Sequence, residues 1–236
     1  MAHPAAEKVR VGTAGWTDPT LLKSGRFYPP EAKTPEQRLR FYASQFSIVE
    51  VDSSFYAMPS HDKALAWAAR TSDDFQFDVK AFRIFTLHQT PLNLPKVLRE
   101  DLEPRGNKAG NVYYSDLSDD EKAELWQIFK DALAPLRSAN KLGYLLFQFP
   151  AWEFKNEHNL AVVRFHGRNA DTWMKKTQTA AERFNYLYSE EEISELAERT
   201  RELASKTRQV HAMFNNCYED KAQRNARQLI AMLAGR

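Results

Sequence analysis

Strands that alternate in polarity but are separated by helices constrain this chain more than any other feature. In 48–55, Val49, Val51 and Ser53 alternate with Glu50, Asp52 and Ser54. In 75–82, Phe75, Phe77 and Val79 alternate with Gln76, Asp78 and Lys80. The segment 160–167 sets Ala161, Val163 and Phe165 against Val162, Arg164 and His166, and 209–216 sets Val210, Ala212 and Phe214 against His211, Met213 and Asn215. Two more strands are legible at 9–16 and 143–149. A half-solvated antiparallel sheet would also alternate, but the intervening helices argue for parallel pairing, as a sheet or a closed barrel. Parallel strands buried on both faces read as nearly continuous Val, Ile and Leu. Here one face is apolar and suits a helix layer, while the other is charged. A parallel α/β barrel with a polar, partly hydrated lumen satisfies both facts. Its charges must pair, and Glu50, Asp52 and Asp78 can offset Lys80 and Arg164.

The helices announce themselves by their caps. Thr34-Pro35-Glu36 opens an amphipathic run to Phe46, with Thr at the N-cap and Pro at the first helical position. Ser60 opens a second, carrying Leu65, Ala68 and Ala69 toward a core. Ser118 opens a third to about Leu136, with Leu125, Ile128, Phe129 and Leu133 on one stripe. Ser189 with Glu192 forms a capping box for a helix to about Lys206, and 218–233 reads as the last helix before Gly235.

Length and composition permit this architecture. The 236 residues fall within the range of one α/β barrel, and a hydrophobic content of 43% can build a core. The expected organisation is a single domain over 9–234 after a short tail, 1–8. With 33 basic and 31 acidic residues the net charge is +2, which gives no global case for nucleic acid or membrane. The single cysteine, Cys217, excludes an internal disulfide and fits a reducing compartment. The N-terminal residues lack an apolar signal region, and no stretch approaches a membrane span, so a cytoplasmic protein is expected.

Several ordered blocks resemble one family. Gly12-Thr13-Ala14-Gly15-Trp16, Phe27-Tyr28-Pro29, Val49 to Tyr56 and Lys80-Ala81-Phe82-Arg83 are similar to the YecE-like family, domain of unknown function 72. Phe147-Gln148-Phe149-Pro150, Arg164-Phe165-His166-Gly167-Arg168, Tyr186-Leu187-Tyr188-Ser189 and Phe214-Asn215-Asn216 with Lys221-Ala222 and Asn225-Ala226 continue the match. The resemblance implies a TIM-type barrel with no established activity. It also exposes a departure. Family members carry a long segment between the Gln-Phe-Pro strand and the Arg-Phe-His-Gly strand, supplying two more strands and their helices. Here only Ala151 to Asn159 intervene, too few for a helical crossover. About two βα units are therefore expected to be absent between Pro150 and Leu160.

In such barrels, functional groups sit at the C-terminal ends of strands. Asp52 and His166 are the acid/base candidates, and Lys80 suits an electrostatic clamp or an amine nucleophile. Arg83, Arg164 and Arg168 suit a phosphate or carboxylate. Trp16 and Tyr56 can stack on a ligand, with Gln148, Asn215 and Asn216 as polar contacts. Glu50 and Asp78, deeper in their strands, read as structural ion-pair partners. His88 reads equally as a site residue or an exposed one, and Cys217 as a small buried filler. Lys221 and Asn225 face the same way near the start of the last helix and suit an anion contact or a cap. No metal is expected: HxH, HExxH and CxxC spacings are missing, and Lys and Arg interleave the acids. No cofactor is implied and no oligomeric state follows.

The loop 84–117, long for a compact domain, reads equally as a lid or a packed insertion. Three functions remain open. The first is an enzyme using acid/base chemistry on a small anionic substrate. The second is a barrel that binds or processes nucleic acid through Arg83, Arg164 and Arg168. The third is a non-catalytic ligand-binding protein or scaffold.

Overall fold

The computed structural model describes residues 8–91, 110–148, 160–169 and 180–235. In chain order the strands are β1 (Val9–Ala14), β2 (Ile48–Val51), β3 (Gln76–Lys80), β4 (Thr90–Pro91), β5 (Asn111–Val112), β6 (Leu142–Leu146), β7 (Leu160–Phe165) and β8 (Gln209–Phe214). The helices are α1 (Pro19–Ser24), α2 (Pro35–Gln45), α3 (His61–Ala69), α4 (Asp119–Ser138), α5 (Ala180–Arg183), α6 (Glu190–Lys206) and α7 (Lys221–Leu233). Contacts group the chain into two compact units, Met1–Glu50 with Asn156–Arg236, and Val51–Lys155.

In the first unit, β1 pairs in parallel with β2 on one side and β8 on the other, and β7 pairs in parallel with β8. The register places Arg10 beside His211, and Val162 beside the same histidine. One row further on, Gly12, Met213 and Arg164 share the same side, and Ala14 stands beside Glu50. The opposite side carries Val11, Val49, Val210, Ala212 and Phe214, all buried. There α6 packs on β8, and α7 on β1 and β8. Alternating polarity thus separates a helix-covered face from a polar one. Within the apolar layer sits one hydroxyl that the backbone uses: Tyr42, fully buried on α2, accepts the Thr13 N–H at 3.0 Å and donates to Ile48 O at 3.2 Å. Burial raises its phenol well above the ordinary tyrosine range, against the opposing hydrogen bonds from Thr13.

In the second unit, β3 and β6 pair in parallel with a shift in register between Phe77 and Val79. Two residues of β3 span the same length as three of β6, from Leu142 to Leu145, so β6 carries a bulge there. The helices α3 and α4 pack against each other. Lys141, 4% exposed, aims its ammonium at the end of α3, donating to Ala68 O at 2.7 Å and Thr71 O at 2.8 Å. It therefore serves Ala68 O in the last turn of α3 and Thr71 O just beyond it.

Each expected cap forms. Thr34, Ser118 and Ser189 make capping boxes with Gln37, Glu121 and Glu192, and Ser60 accepts the Lys63 N–H. Four expectations are corrected. The segment 48–55 leaves the strand at Val51 and turns into a 3-10 helix, Asp52–Phe55, because the Ser54 hydroxyl meets the Val51 and Lys80 carbonyls at 2.5 and 2.6 Å. Leu65 and Ala69 point to solvent, and Ala64, Trp67 and Ala68 form the buried stripe of α3. The last helix begins at Lys221, not at Tyr218. Finally, 84–117 is not wholly irregular: Arg83–Thr86 is a 3-10 turn, and β4 and β5 pair as an antiparallel ladder. Residues 92–109 of that loop, and with them the reading as a lid, lie outside the described residues. So do 149–159, and with them the expected absence of two βα units.

Candidate functional site

The expected site residues divide between the two units, and each group is coherent in itself. In the second unit Asp52 opens the 3-10 helix after β2, and Lys80 ends β3. Their side chains form a salt bridge, Nζ to Oδ1 at 3.0 Å. Phe55 lies under the same ammonium, which stands 4.4 Å above its ring centre. The Arg83 guanidinium lies 5.6 Å from the centre of that ring, so one aromatic ring serves two cations. Arg83 Nε is buried and meets no hydrogen-bond acceptor among the described residues. The His88 ring stands edge-on to Phe55, with centroids 5.1 Å apart. Burial lowers the His88 pKa, Arg83 and then Lys80 add to the effect, and a hydrogen bond with Thr86 works against it. Tyr56 is exposed beside Phe55, and Gln148 is exposed just beyond β6.

In the first unit Arg164 Nη2 meets Glu50 Oε1 at 2.7 Å, a pair in which the carboxylate is fully buried. His166 follows β7 and Asn215 follows β8; His166 Nδ1 lies 2.8 Å from the Asn215 amide nitrogen. An amide NH2 can only donate, so Nδ1 accepts and a neutral ring carries its proton on Nε2. Arg168 binds Glu192 at 3.0 Å and Glu195 at 3.2 Å on the surface of α6. Glu192 also accepts from Tyr186 and Ser189. Burial raises the Glu192 pKa, but the bonds from Ser189, Tyr186 and Arg168 outweigh it and leave the carboxyl below its ordinary range. Two of the three arginines proposed as anion or nucleic-acid contacts thus already face carboxylates.

Trp16 is buried, and its carbonyl accepts the Tyr28 hydroxyl. Asn216 is fully buried, donating to Tyr186 O at 2.8 Å and to Asn225 Oδ1 at 3.0 Å. Asn225 also binds both main-chain groups of Tyr188, so this amide pair fastens α7 to the segment before α6. Lys221 reaches Asn185 rather than pointing outward alone. The Cys217 thiol donates to Ala14 O at 3.2 Å. Among the described residues no group of three or more His, Cys, Asp or Glu could hold a metal ion. No helix among them is long and apolar enough to cross a membrane.

His88 is the residue that sequence reasoning left undecided. Its position depends on the turn Arg83–Thr86 and on Leu87, whose φ of 63° is left-handed, and no hydrophobic period encodes either.

Parallel strands linked by helices, with charged side chains at their C-terminal ends, define the class: an α/β protein with a strand-end polar site. A family model described as a protein of unknown function, DUF72, matches residues 10–161 and 153–236, and the chain belongs to that family. UPF0759 protein YunF of Bacillus subtilis (strain 168) is 26% identical over 296 residues, covering 95% of this chain and 94% of the relative. Solved structures of the family share the fold. A DUF72 family protein of Enterococcus faecalis V583 superposes with a TM-score of 0.68 at 18% identity, covering 97% of this chain and 96% of that one. A DUF72 family protein of Thermotoga maritima MSB8 gives 0.65 at 25% identity, covering 95% and 98%.

Proposed function

We propose that the protein binds a small phosphate- or carboxylate-bearing molecule at the end of β3 and acts on it by acid/base chemistry. The observation that carries this reading is the Arg83–Phe55–Lys80 stack. Two cations share one ring, Asp52 is the carboxylate paired there, and the buried Arg83 Nε meets no acceptor. Buried polar groups are rarely left this way, and an anionic oxygen would supply what is missing. Asp52 sets the position of the Lys80 ammonium, which acts as a clamp on the ligand's charge. A thermal-shift titration with inorganic phosphate, sulfate and small carboxylates tests the reading. Saturable stabilisation by at least one of them is expected, with affinity reduced tenfold or more in Arg83→Gln. Stabilisation that does not saturate, or that survives in Arg83→Gln unchanged, would count against it.

The barrel and its shortening belong to the same proposal. Parallel pairing in both units and α/β order support a TIM-type barrel. Two observations support the absence of about two βα units before Leu160. The family model matches in two pieces that meet at 153–161, and the alignment to the Bacillus relative is longer than this 236-residue chain. Intact-mass measurement tests it. A mass of about 27.3 kDa is expected, and a larger one would show that the segment is present in the molecule.

A further inference from the structure

The turn that carries Arg83 also fixes the protonation of a histidine. Thr86, fully buried, has one hydroxyl proton, and its Oγ1 lies 3.0 Å from Arg83 O and 2.9 Å from His88 Nδ1. A carbonyl oxygen can only accept; with the hydroxyl proton on Arg83 O, Thr86 Oγ1 accepts from His88, the arrangement that places the ring proton on Nδ1. The neutral imidazole is left with its lone pair on Nε2, at the opposite side of the ring from Thr86. Phe55 holds the ring edge-on at 83°, and the left-handed Leu87 turns the chain between Thr86 and His88.

The charged groups that act on His88 are Arg83, from its own turn, and Lys80, from β3. The carboxylate in this group, Asp52, is taken by Lys80. With two cations nearby and partial burial, the ring stays neutral where an ordinary histidine would begin to charge. An anion on Arg83 and Lys80 reverses that field.

Resting on the anion site argued above, we propose that His88 is the base of that site, its Nε2 taking a proton from the ligand that Arg83 and Lys80 hold. With a phosphate monoanion, the ligand O–H bond breaks, its electron pair stays on the oxygen, and the proton forms the N–H of an imidazolium. The ligand gains one negative charge as His88 gains one positive charge, so the pair is held by mutual attraction. A hydroxyl adjacent to a carboxylate or phosphate would be deprotonated in the same way. Thr86 is the positioning residue, since its single proton decides which ring nitrogen is basic.

The test is long-range ¹H–¹⁵N NMR of the histidine rings, with the His88 signals assigned by their loss in His88→Gln. In the absence of ligand, the Nδ1–H form is expected near neutral pH. Saturating inorganic phosphate is expected to raise the His88 pKa by at least one unit, and Arg83→Gln to abolish that rise. Thr86→Val is expected to leave a mixture of ring tautomers. An Nε2–H tautomer in the ligand-free protein would overturn the assignment. Calorimetric binding of phosphate with an unmoved His88 resonance would overturn the base while leaving the anion site intact. No phosphate binding by calorimetry, in a protein whose spectrum shows it folded, would remove both.

Discussion

Asp78 Oδ1 stands 2.0 Å from the point where a Cβ on residue 143 would lie, so the Asp78 carboxylate occupies the space that Gly143 leaves empty. The same oxygen accepts the Tyr144 N–H at 3.0 Å. A fully buried carboxylate thus sits in the bulge of β6 and satisfies one of the main-chain groups there. Glycine is needed for room rather than for an unusual dihedral.

Gly143→Ala is therefore expected to destabilise the chain by about 2–3 kcal/mol, since the carboxylate must move and its hydrogen bond must lengthen. Urea unfolding measures this. Asp78→Ala combined with Gly143→Ala should cost less than the two single changes summed, because the first removes the clash that the second creates. Strict additivity would show that the two residues do not compete for that space.

Lys141→Met tests the helix end. Removing the ammonium leaves Ala68 O and Thr71 O buried without that donor, at an expected cost of about 2–3 kcal/mol. Amide exchange in the last turn of α3 should quicken more than exchange in its first turn. An equal change along the helix would point to a general loss of stability instead.

The Glu50–Arg164 pair is a buried electrostatic contact of the first unit. Arg164→Met removes the guanidinium from a carboxylate with no solvent exposure and is expected to cost about 3–5 kcal/mol. Glu50→Gln with Arg164→Met should recover a large part of that loss, because the buried negative charge is gone as well. Thermal unfolding of the two variants distinguishes the cases.

The lowered pKa of His88 makes stability depend on pH with a fixed sign. The unfolded chain binds the proton first as pH falls, so the folded state loses stability below the ordinary histidine value of about 6.5. Above it this group makes no difference. His88→Gln should flatten the pH dependence below about 6.5, read as the urea midpoint across that range. An unchanged slope would show that His88 does not contribute to it.

Strand existence was legible where a period of two survives, as in β3, β7 and β8. Where the chain leaves the strand was not, since Asp52-Ser53-Ser54 continues the alternation while the Ser54 hydroxyl bends the backbone into a turn. The partners of Lys80 and Arg164 could be drawn from strand phase alone, because only Glu50, Asp52 and Asp78 share the polar side. Trp67 was overlooked in favour of Leu65, an error of helical phase at a site where both are apolar. The short helix α1 was missed, although Asp18-Pro19-Thr20 carries its signal: Asp18 accepts the Thr20 N–H, and Pro19 occupies the first turn. The orientation of His88 was beyond sequence because it rests on one hydroxyl's choice of partner.

The hydroxyl that Tyr42 places between β1 and β2 makes the fold optically readable in alkali. Phenolate absorbs where phenol does not, and the chain has nine tyrosines. Burial raises Tyr42 and Tyr28 far above the ordinary range, so neither gives up its proton while packed. The unfolded chain releases both at a lower pH, so these phenols drain stability as alkalinity rises. Tyr42, between α2 and the first two strands, colours only as that layer parts. The late step in absorbance then reports the moment at which the layer between α2 and the first two strands opens to water.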